Sequence, residues 1–540
     1  MIIKERIRIL CITALVFCLC QEIYGQYKYS REYREKKNEA DDYFRYENYS
    51  VALPVFLELS EMDSMNTEVS FKTGVSIYMC KRDKSEAVKY FEKAKNDFAD
   101  SYYYLGNLYH RAQLFDRALS CFNYYKCSPE KGAFSDREVD HCMDKSYDAK
   151  LFISRKTNVA VQNMGAVINS SYPDYVPLIT SDETVMMFTS RREGSTGGMK
   201  DPNGEYFEDI YISRKKDGEW SPPENLGSPV NTLTHDACIS LTSDGQKMFV
   251  YRTNKELTGG DIYLSNLKDG KWSEPEKLNG DINTPGGIES SASLAPNEQV
   301  LYFSSNRPGG YGGRDLYIVR KLPDGEWGLA QNMGPVINTP YDEDSPFIHP
   351  DGTTLFFSSK GHRNIGGYDI FKSVYEGGMW SAPVNLGYPI NTVDDDIYFV
   401  VSANGKRGYY SSDRDGGEGH SDIYSIDMPD IKLNRILLKG TVTTHDPVFS
   451  TLHATITIID YQTKELHGIY RTNRSTGKYL MVLLPKKKYK IIVESDGYHS
   501  YVGEIDMTKR LRMEDLFKDI SLEKESKEED RLKMLDDKEE

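Results

Sequence analysis

Gly218-Glu-Trp220-Ser-Pro-Pro-Glu-Asn-Leu-Gly227, closing at Asn231, is the stretch on which the fold turns, because its opening recurs at Gly270-Lys-Trp272, Gly325-Glu-Trp327 and Gly378-Met-Trp380. These four tryptophans are the only ones in the chain, and they lie 52, 55 and 53 residues apart. A rare residue placed four times in register marks an internal repeat. Upstream of each stands an Asp-apolar-aromatic step, written five times: Asp209-Ile-Tyr211, Asp261-Ile-Tyr263, Asp315-Leu-Tyr317, Asp369-Ile-Phe371 and Asp422-Ile-Tyr424. Between them come turns such as Pro350-Asp-Gly352 and short apolar runs such as Leu301-Tyr-Phe-Ser-Ser305.

Each unit of about 50 residues therefore offers about four short strands separated by Gly, Asp and Pro turns, as a propeller blade does. The fifth Asp-Ile-Tyr has no Gly-x-Trp strand after it. The missing strand stands at the other end, where Val159-Ala-Val-Gln-Asn-Met-Gly165 matches Trp220 to Gly227 in register. An N-terminal strand that completes the last blade closes the ring and removes its edges. The expectation is a five-bladed β-propeller over residues 155–430.

Residues 36–150 have little Gly or Pro and carry a second repeat. Ala40, Tyr43, Ala52 and Phe56 are echoed by Gly74, Tyr78, Ala87 and Phe91, then by Gly106, Tyr109, Ala118 and Phe122. The Ala-x3-Phe steps lie 35 and 31 residues apart, near the tetratricopeptide period of 34. A helical solenoid of three helix pairs is expected, with Tyr102, Tyr103 and Tyr104 either lining a partner groove or packed between helices. Residues 434–522 alternate as short strands, from Gly440-Thr-Val442 to Gly497-Tyr498, and read as a small β-sandwich. Residues 523–540 form a charged tail. The fold class is thus multidomain, α followed by all-β.

Lys4, Arg6 and Arg8 precede an apolar run from Ile9 to Cys20 and a small-residue cut near Gly25, so residues 1–25 read as a signal peptide. Cys18 and Cys20 raise lipid anchoring as an alternative, although Phe17 and Leu19 are bulky where a lipidation signal needs a small residue. The expected compartment is the periplasm. Of the eight cysteines, Cys80, Cys121, Cys127, Cys142 and Cys238 follow the leader, an odd number that leaves at least one unpaired within the chain. Pairing of Cys121 with Cys127 or Cys142, or buried free thiols throughout, are the alternatives. A net charge of −15, from 67 bases and 82 acids, argues against nucleic acid as a partner.

No Gly-x-Ser-x-Gly elbow occurs, and His235-Asp236 reads as a turn hydrogen bond, so no catalytic residue is expected. Asp342-Glu-Asp344 and Asp394-Asp-Asp396 fall in corresponding loops, and Asp413-Arg-Asp415 is a third acidic triplet. Recurrence favours hydrogen-bonded staples between blades over calcium ligation, and neither metal nor cofactor is expected. The aspartates of the Asp-Ile-Tyr steps are read as structural, accepting N–H bonds from neighbouring turns. The tryptophans are read as packing within or between blades.

Taken together, these phrases resemble the OmpA-family envelope proteins of Bacteroidota in a PorE-like layout: tetratricopeptide repeats, a WD-like propeller, then a carboxypeptidase regulatory-like domain. The resemblance implies a non-catalytic, outer-membrane-associated scaffold for envelope protein partners, in type IX secretion or a related machine. That family continues into a peptidoglycan-gripping domain, whereas this sequence ends at Glu540 after its charged tail. Direct wall anchoring is therefore not expected to carry over. The alternative is a binder of glycan or peptidoglycan fragments at the propeller's axial pocket.

Overall fold

The computed structural model describes residues 31–130, 132–201, 204–242, 244–278, 281–428, 435–445, 451–474, 476–509 and 515–525. The expected signal peptide and residues 526–540 of the tail lie outside them. The chain divides into two compact units, residues 1–150 and 151–540.

The first unit is helical: α1 (Arg31–Arg45), α2 (Tyr49–Met62), α3 (Thr67–Cys80), α4 (Ala87–Ala94), α5 (Asp100–Arg111), α6 (Phe115–Cys127) and α7 (Asp136–Ser154). Successive helices pack as hairpins, α1 on α2, α3 on α4 and α5 on α6. The repeated small residues explain why. A Cβ placed on Gly74 would run into the ring of Phe91, and one on Gly106 into the ring of Phe122. Ala40, Phe56, Phe91 and Phe122 are fully buried. A small residue on one helix thus makes room for the aromatic ring of its partner, which is the physical content of the period read from the sequence. Among the described residues, no helix is long and apolar enough to cross a membrane.

The second unit opens with five antiparallel sheets of four or five strands each among the described residues. Their first strands are Asp174–Ile179, Asp236–Leu241, Ser291–Leu294, Glu343–Ile348 and Asp396–Val401. Each of these touches the next, and the fifth touches the first, so the inner strands close a propeller-like ring around an axis. The strand Ala160–Asn163 pairs with Asp422–Asp427, Asn163 lying opposite Tyr424. The sheet that ends the ring is therefore completed from the start of the unit.

Two further sheets follow. Leu466–Arg471, Thr455–Asp460, Lys488–Glu494 and Tyr501–Asp506 form an antiparallel sheet, and Ile436–Thr444 is flanked by Lys478–Leu483 and by Asp515–Phe517 and Ile520–Leu522. The last two strands run parallel to Ile436–Thr444, a pairing that alternation of residues does not signal. Both sheets face one apolar core built on residues such as Ile456, Met481, Tyr489 and Ile491. This sandwich docks on one end of the ring: Ile469 N–H donates to Pro296 O at 2.9 Å. Arg471 bridges Asp244 and Glu298 at 2.8 Å each. Ile469 thereby lines the end of the axial channel.

Cys80, Cys121, Cys127, Cys142 and Cys238, the cysteines among the described residues, are free thiols, with Cys121, Cys142 and Cys238 buried. The alternative of a Cys121 disulfide is set aside on that geometry.

Candidate functional site

The repeated aspartates hold the sheets together. Asp369 accepts N–H bonds from Ile365 (2.7 Å) and Gly366 (3.1 Å) and the amide of Asn385 (2.7 Å). Asn385 in turn accepts the amide of Asn391 (2.8 Å), and Asn391 bonds Ile370 through both its N–H (2.8 Å) and its carbonyl (2.9 Å). The same chain links Asp209, Asn225 and Asn231 to Ile210, and Asp315, Asn332 and Asn338 to Leu316. In the closing sheet Asp422 takes its amide from Asn163, and Asn169 bonds Ile423. Asp261 is the exception: Lys277 stands where Asn is expected and donates to it at 2.7 Å. A staple that ties its carboxylate and both amides into the sheet leaves little of them over for chemistry, and among these groups only Asp209 Oδ1 is buried without a partner.

The tryptophans are half-buried and packed. Trp380 lies edge-on to Tyr302 of the preceding sheet and against Tyr375, while Lys215 and Lys321 lie over Trp220 and Trp327. Trp272 and Trp220 flank the apolar core near Met248 and Val250. Tyr103 stacks on Phe134 at 3.5 Å and Tyr104 on Phe91 at 4.8 Å, so interhelical packing accounts for both rings. Tyr102 stacks on Tyr124, which is 63% exposed, and keeps an outward face. His235 stacks on Phe207, and Asp236 pairs with Arg252 rather than with the histidine.

A second repeated carboxylate escaped sequence reading. Asp174, Asp236, Glu289, Glu343 and Asp396 begin or immediately precede the five inner strands, and all are fully buried. Each accepts the N–H and hydroxyl of a Ser or Thr four or five residues earlier, as Thr392 does for Asp396 (2.6 and 2.8 Å). Four face an arginine: Arg192, Arg252, Arg307 and Arg414. Asp396 and Glu343 were read in the acidic triplets; here each serves as a staple, and no group of three potential metal-binding side chains occurs among the described residues. Asp342 likewise accepts the Arg314 N–H, and Asp395 accepts the Tyr368 N–H.

Glu343 lacks the arginine. His362 takes over one of its contacts, reaching Ile337 O at 2.9 Å, where Arg414 reaches Ile390 O at 2.8 Å. Burial lowers the His362 pKa, which disfavours its charged form. Burial raises the Glu343 carboxyl to about 7, against hydrogen bonds from Ser359 and Thr339 that favour the anion. An acid whose pKa is raised on folding holds its proton longer in the native state, so its stabilisation is present below about 4.5 and is lost as pH rises to about 7. Glu343→Gln, whose amide can donate to the two hydroxyls, is expected to flatten that loss. It should exceed the parent by roughly 1–3 kcal/mol above pH 7 and match it near pH 4.5. Denaturant midpoints across that range check this, and a Gln chain weaker at every pH contradicts it.

At the mouth away from the sandwich, side chains vary while the backbone repeats. Glu208, Arg314, Tyr368 and Ser421, each just before a repeated Asp, use their carbonyls to bond the next inner strand at Asp236, Glu343, Asp396 and Asp174. Tyr175 donates its hydroxyl to Glu208, and His235 Nδ1 lies 3.2 Å from Glu208 Oε2. Burial raises the Glu208 carboxyl, but bonds from His235 and Tyr175 outweigh it and hold the pKa below the ordinary value. Arg314 reaches Asp344 at 2.7 Å. Tyr398 stacks beside Tyr175, and burial, then Asp344 and Glu208, push its hydroxyl pKa well up. The charges of Glu208, Arg314, Asp344 and Asp395 thus all act on one phenol.

No family model matches the chain, and no curated protein matches it. Among solved structures it is similar to a putative TolB from Agrobacterium tumefaciens, at 13% identity over 60% of this chain and 96% of that one, with a TM-score of 0.31. It is also similar to an α-L-arabinanase from Penicillium chrysogenum complexed with arabinobiose, at 10% identity over 51% and 99%, TM-score 0.34. An α-L-arabinofuranosidase from Lactobacillus brevis shares 14% identity over 49% and 93%, TM-score 0.32. At such scores these likenesses carry no argument about fold or activity, and the closed ring of sheets rests on its own strand pairing.

Proposed function

We propose that this chain is a non-catalytic scaffold of the periplasm, associated with the outer membrane, that holds envelope proteins together in type IX secretion or a related machine. In this reading the helical hairpins are tetratricopeptide repeats taking one protein partner. The five sheets are the blades of a five-bladed, WD-like propeller taking another, and the last two sheets are a carboxypeptidase regulatory-like spacer. The observation that carries it is the staple: the most insistently repeated polar residues are consumed in holding strands together, so the repeat encodes a platform. Partners held on one chain meet at high effective concentration.

A glycan or wall fragment at the axial mouth is the second reading, favoured by the tyrosines and carboxylates gathered there. Tagged protein crosslinked in its host and, separately, mixed with purified sacculi distinguishes the two. The scaffold reading expects outer-membrane secretion or transport components and no sacculus binding. Sedimentation with sacculi in the absence of protein partners would overturn it.

A further inference from the structure

We infer that the axial mouth binds a primary ammonium group carried on a narrow chain, as a lysine side chain or an amino terminus presents it. The repeat itself isolates the site. At the mouth the backbone and the buried carboxylates recur from sheet to sheet, whereas the residues facing the axis do not. The position before the repeated Asp reads Glu208, Gly260, Arg314, Tyr368 and Ser421, and the position two after each buried carboxylate of the inner strands reads Val176, Cys238, Ser291, Ser345 and Tyr398. Positions freed from holding the ring are those that can serve a ligand.

The charges there do not balance. Arg314 is held by Asp344 at 2.7 Å, Lys360 by Asp342 at 3.1 Å, and Arg191 by Asp201 at 2.6 Å and by Glu205. Each base thus has an acid of its own, while the Glu208 carboxylate makes no ion pair with a Lys or Arg among the described residues and has His235, the Tyr175 hydroxyl and the more distant charge of Arg191 beside it. Asp395 has no ion pair among the described residues and accepts the Tyr368 N–H. A cation placed between them gains from both carboxylates and from the faces of Tyr175 and Tyr398.

Just inside the mouth, Ser345 is 6% exposed and lines the channel, and its hydroxyl has no hydrogen-bond partner. A buried hydroxyl without a partner costs roughly 1–3 kcal/mol unless something fills its valence. Val176, Ser345 and Tyr398 all sit at positive φ (54°, 53° and 61°), in bulges of three inner strands. For valine that conformation is strained, and such strain concentrates where side chains are aimed for binding. An ammonium offers three donors on a thin stem, enough for Glu208, Asp395 and the Ser345 oxygen. A neutral sugar would donate hydroxyls to these carboxylates but leave their charge unbalanced.

Calorimetric titration of the full chain tests this with acetyl-Gly-Lys-Gly-amide, its Nε-acetyl counterpart, and Gly-Gly-Gly-amide with a free amino terminus. Acetylating the lysine is expected to weaken binding about tenfold or more, and Glu208→Gln to do the same at unchanged melting temperature. Tighter binding of the lysine peptide assigns the side chain, and tighter binding of triglycine amide assigns the terminus. Should Glu208→Gln fail to fold, Asp395→Asn takes its place. Equal binding of the charged and acetylated peptides, binding indifferent to both carboxylates, or no binding of either amine overturns the inference. It does not rest on the scaffold reading, because envelope crosslinking succeeds or fails without reference to amine affinity.

Discussion

Replacing Arg414 by methionine is expected to destabilise the ring by roughly 3–5 kcal/mol, the loss typical of stranding one charge of a buried pair. The guanidinium donates to Asp396 (2.9 Å), Ser412 (2.8 Å) and Ile390 O (2.8 Å), and Asp396 is fully buried behind it. Without the arginine, Thr392 still satisfies one carboxylate oxygen and Ser412 remains as a neutral partner, so the buried charge keeps hydrogen bonds but loses its counter-charge. Burial already raises the Asp396 pKa, and Arg414 is the strongest influence holding it down. The variant's native state therefore keeps its proton to a higher pH, and the deficit should shrink as pH falls. Adding Asp396→Asn should restore a good part of the loss. Urea titrations at acidic and mildly basic pH measure both effects, and a deficit independent of pH and of Asp396 contradicts the charge argument.

Disabling the closing staple should have the next largest effect. In Asn163→Ala/Asn169→Ala the Ile423 N–H loses its partner at 2.9 Å, across 254 residues of chain, and its carbonyl keeps only the Met164 N–H at 3.0 Å. The bare Ile423 N–H and the loss of the Asn163 amide from Asp422 (2.8 Å) cost roughly 2–4 kcal/mol together. Asn385→Ala/Asn391→Ala removes the matching bonds around Ile370, only 21 residues apart. The first change also frees the strand that seals the ring, whereas the second loosens a sheet whose neighbours still hold it. Hydrogen exchange is expected to show Ile423 and both adjoining sheets opening in the first variant, with protection elsewhere in the second largely kept. Matching exchange patterns would mean that the ring does not depend on its N-terminal strand.

The residues that announced themselves in the sequence were those with one fixed local role. Trp380 and Asp369 recur because four of the five sheets pack the same ring and four staple the same turn with Asn, and so their spacing is visible without coordinates. The small-for-large exchange at Gly74 and Phe91 is legible for the same reason. Glu343 was read only as part of an acidic triplet, since its significance lies in an arginine that its sheet lacks, and that absence shows only when all five inner strands are superposed. Glu208, Arg314 and Tyr368 were missed because they vary, although aligning the residue before each repeated Asp would have exposed them. The positive φ at Val176 carries no sequence signal at all, because valine there contradicts local preference and is held by the ring. For Tyr103 and Tyr104 the sequence leaves a partner groove and interhelical packing as alternatives, because an aromatic run suits both, and the rings of Phe134 and Phe91 stack on them.

The central claim is that separate parts of one chain take separate protein partners, and deletion of residues 36–150 tests it most directly. The full and shortened chains would be crosslinked in the host and their partners identified side by side, with circular dichroism confirming that the remaining sheets are folded. The account predicts that the shortened chain stays folded, loses one set of envelope proteins and keeps another. A folded shortened chain with an unchanged partner set, or with none, would contradict it.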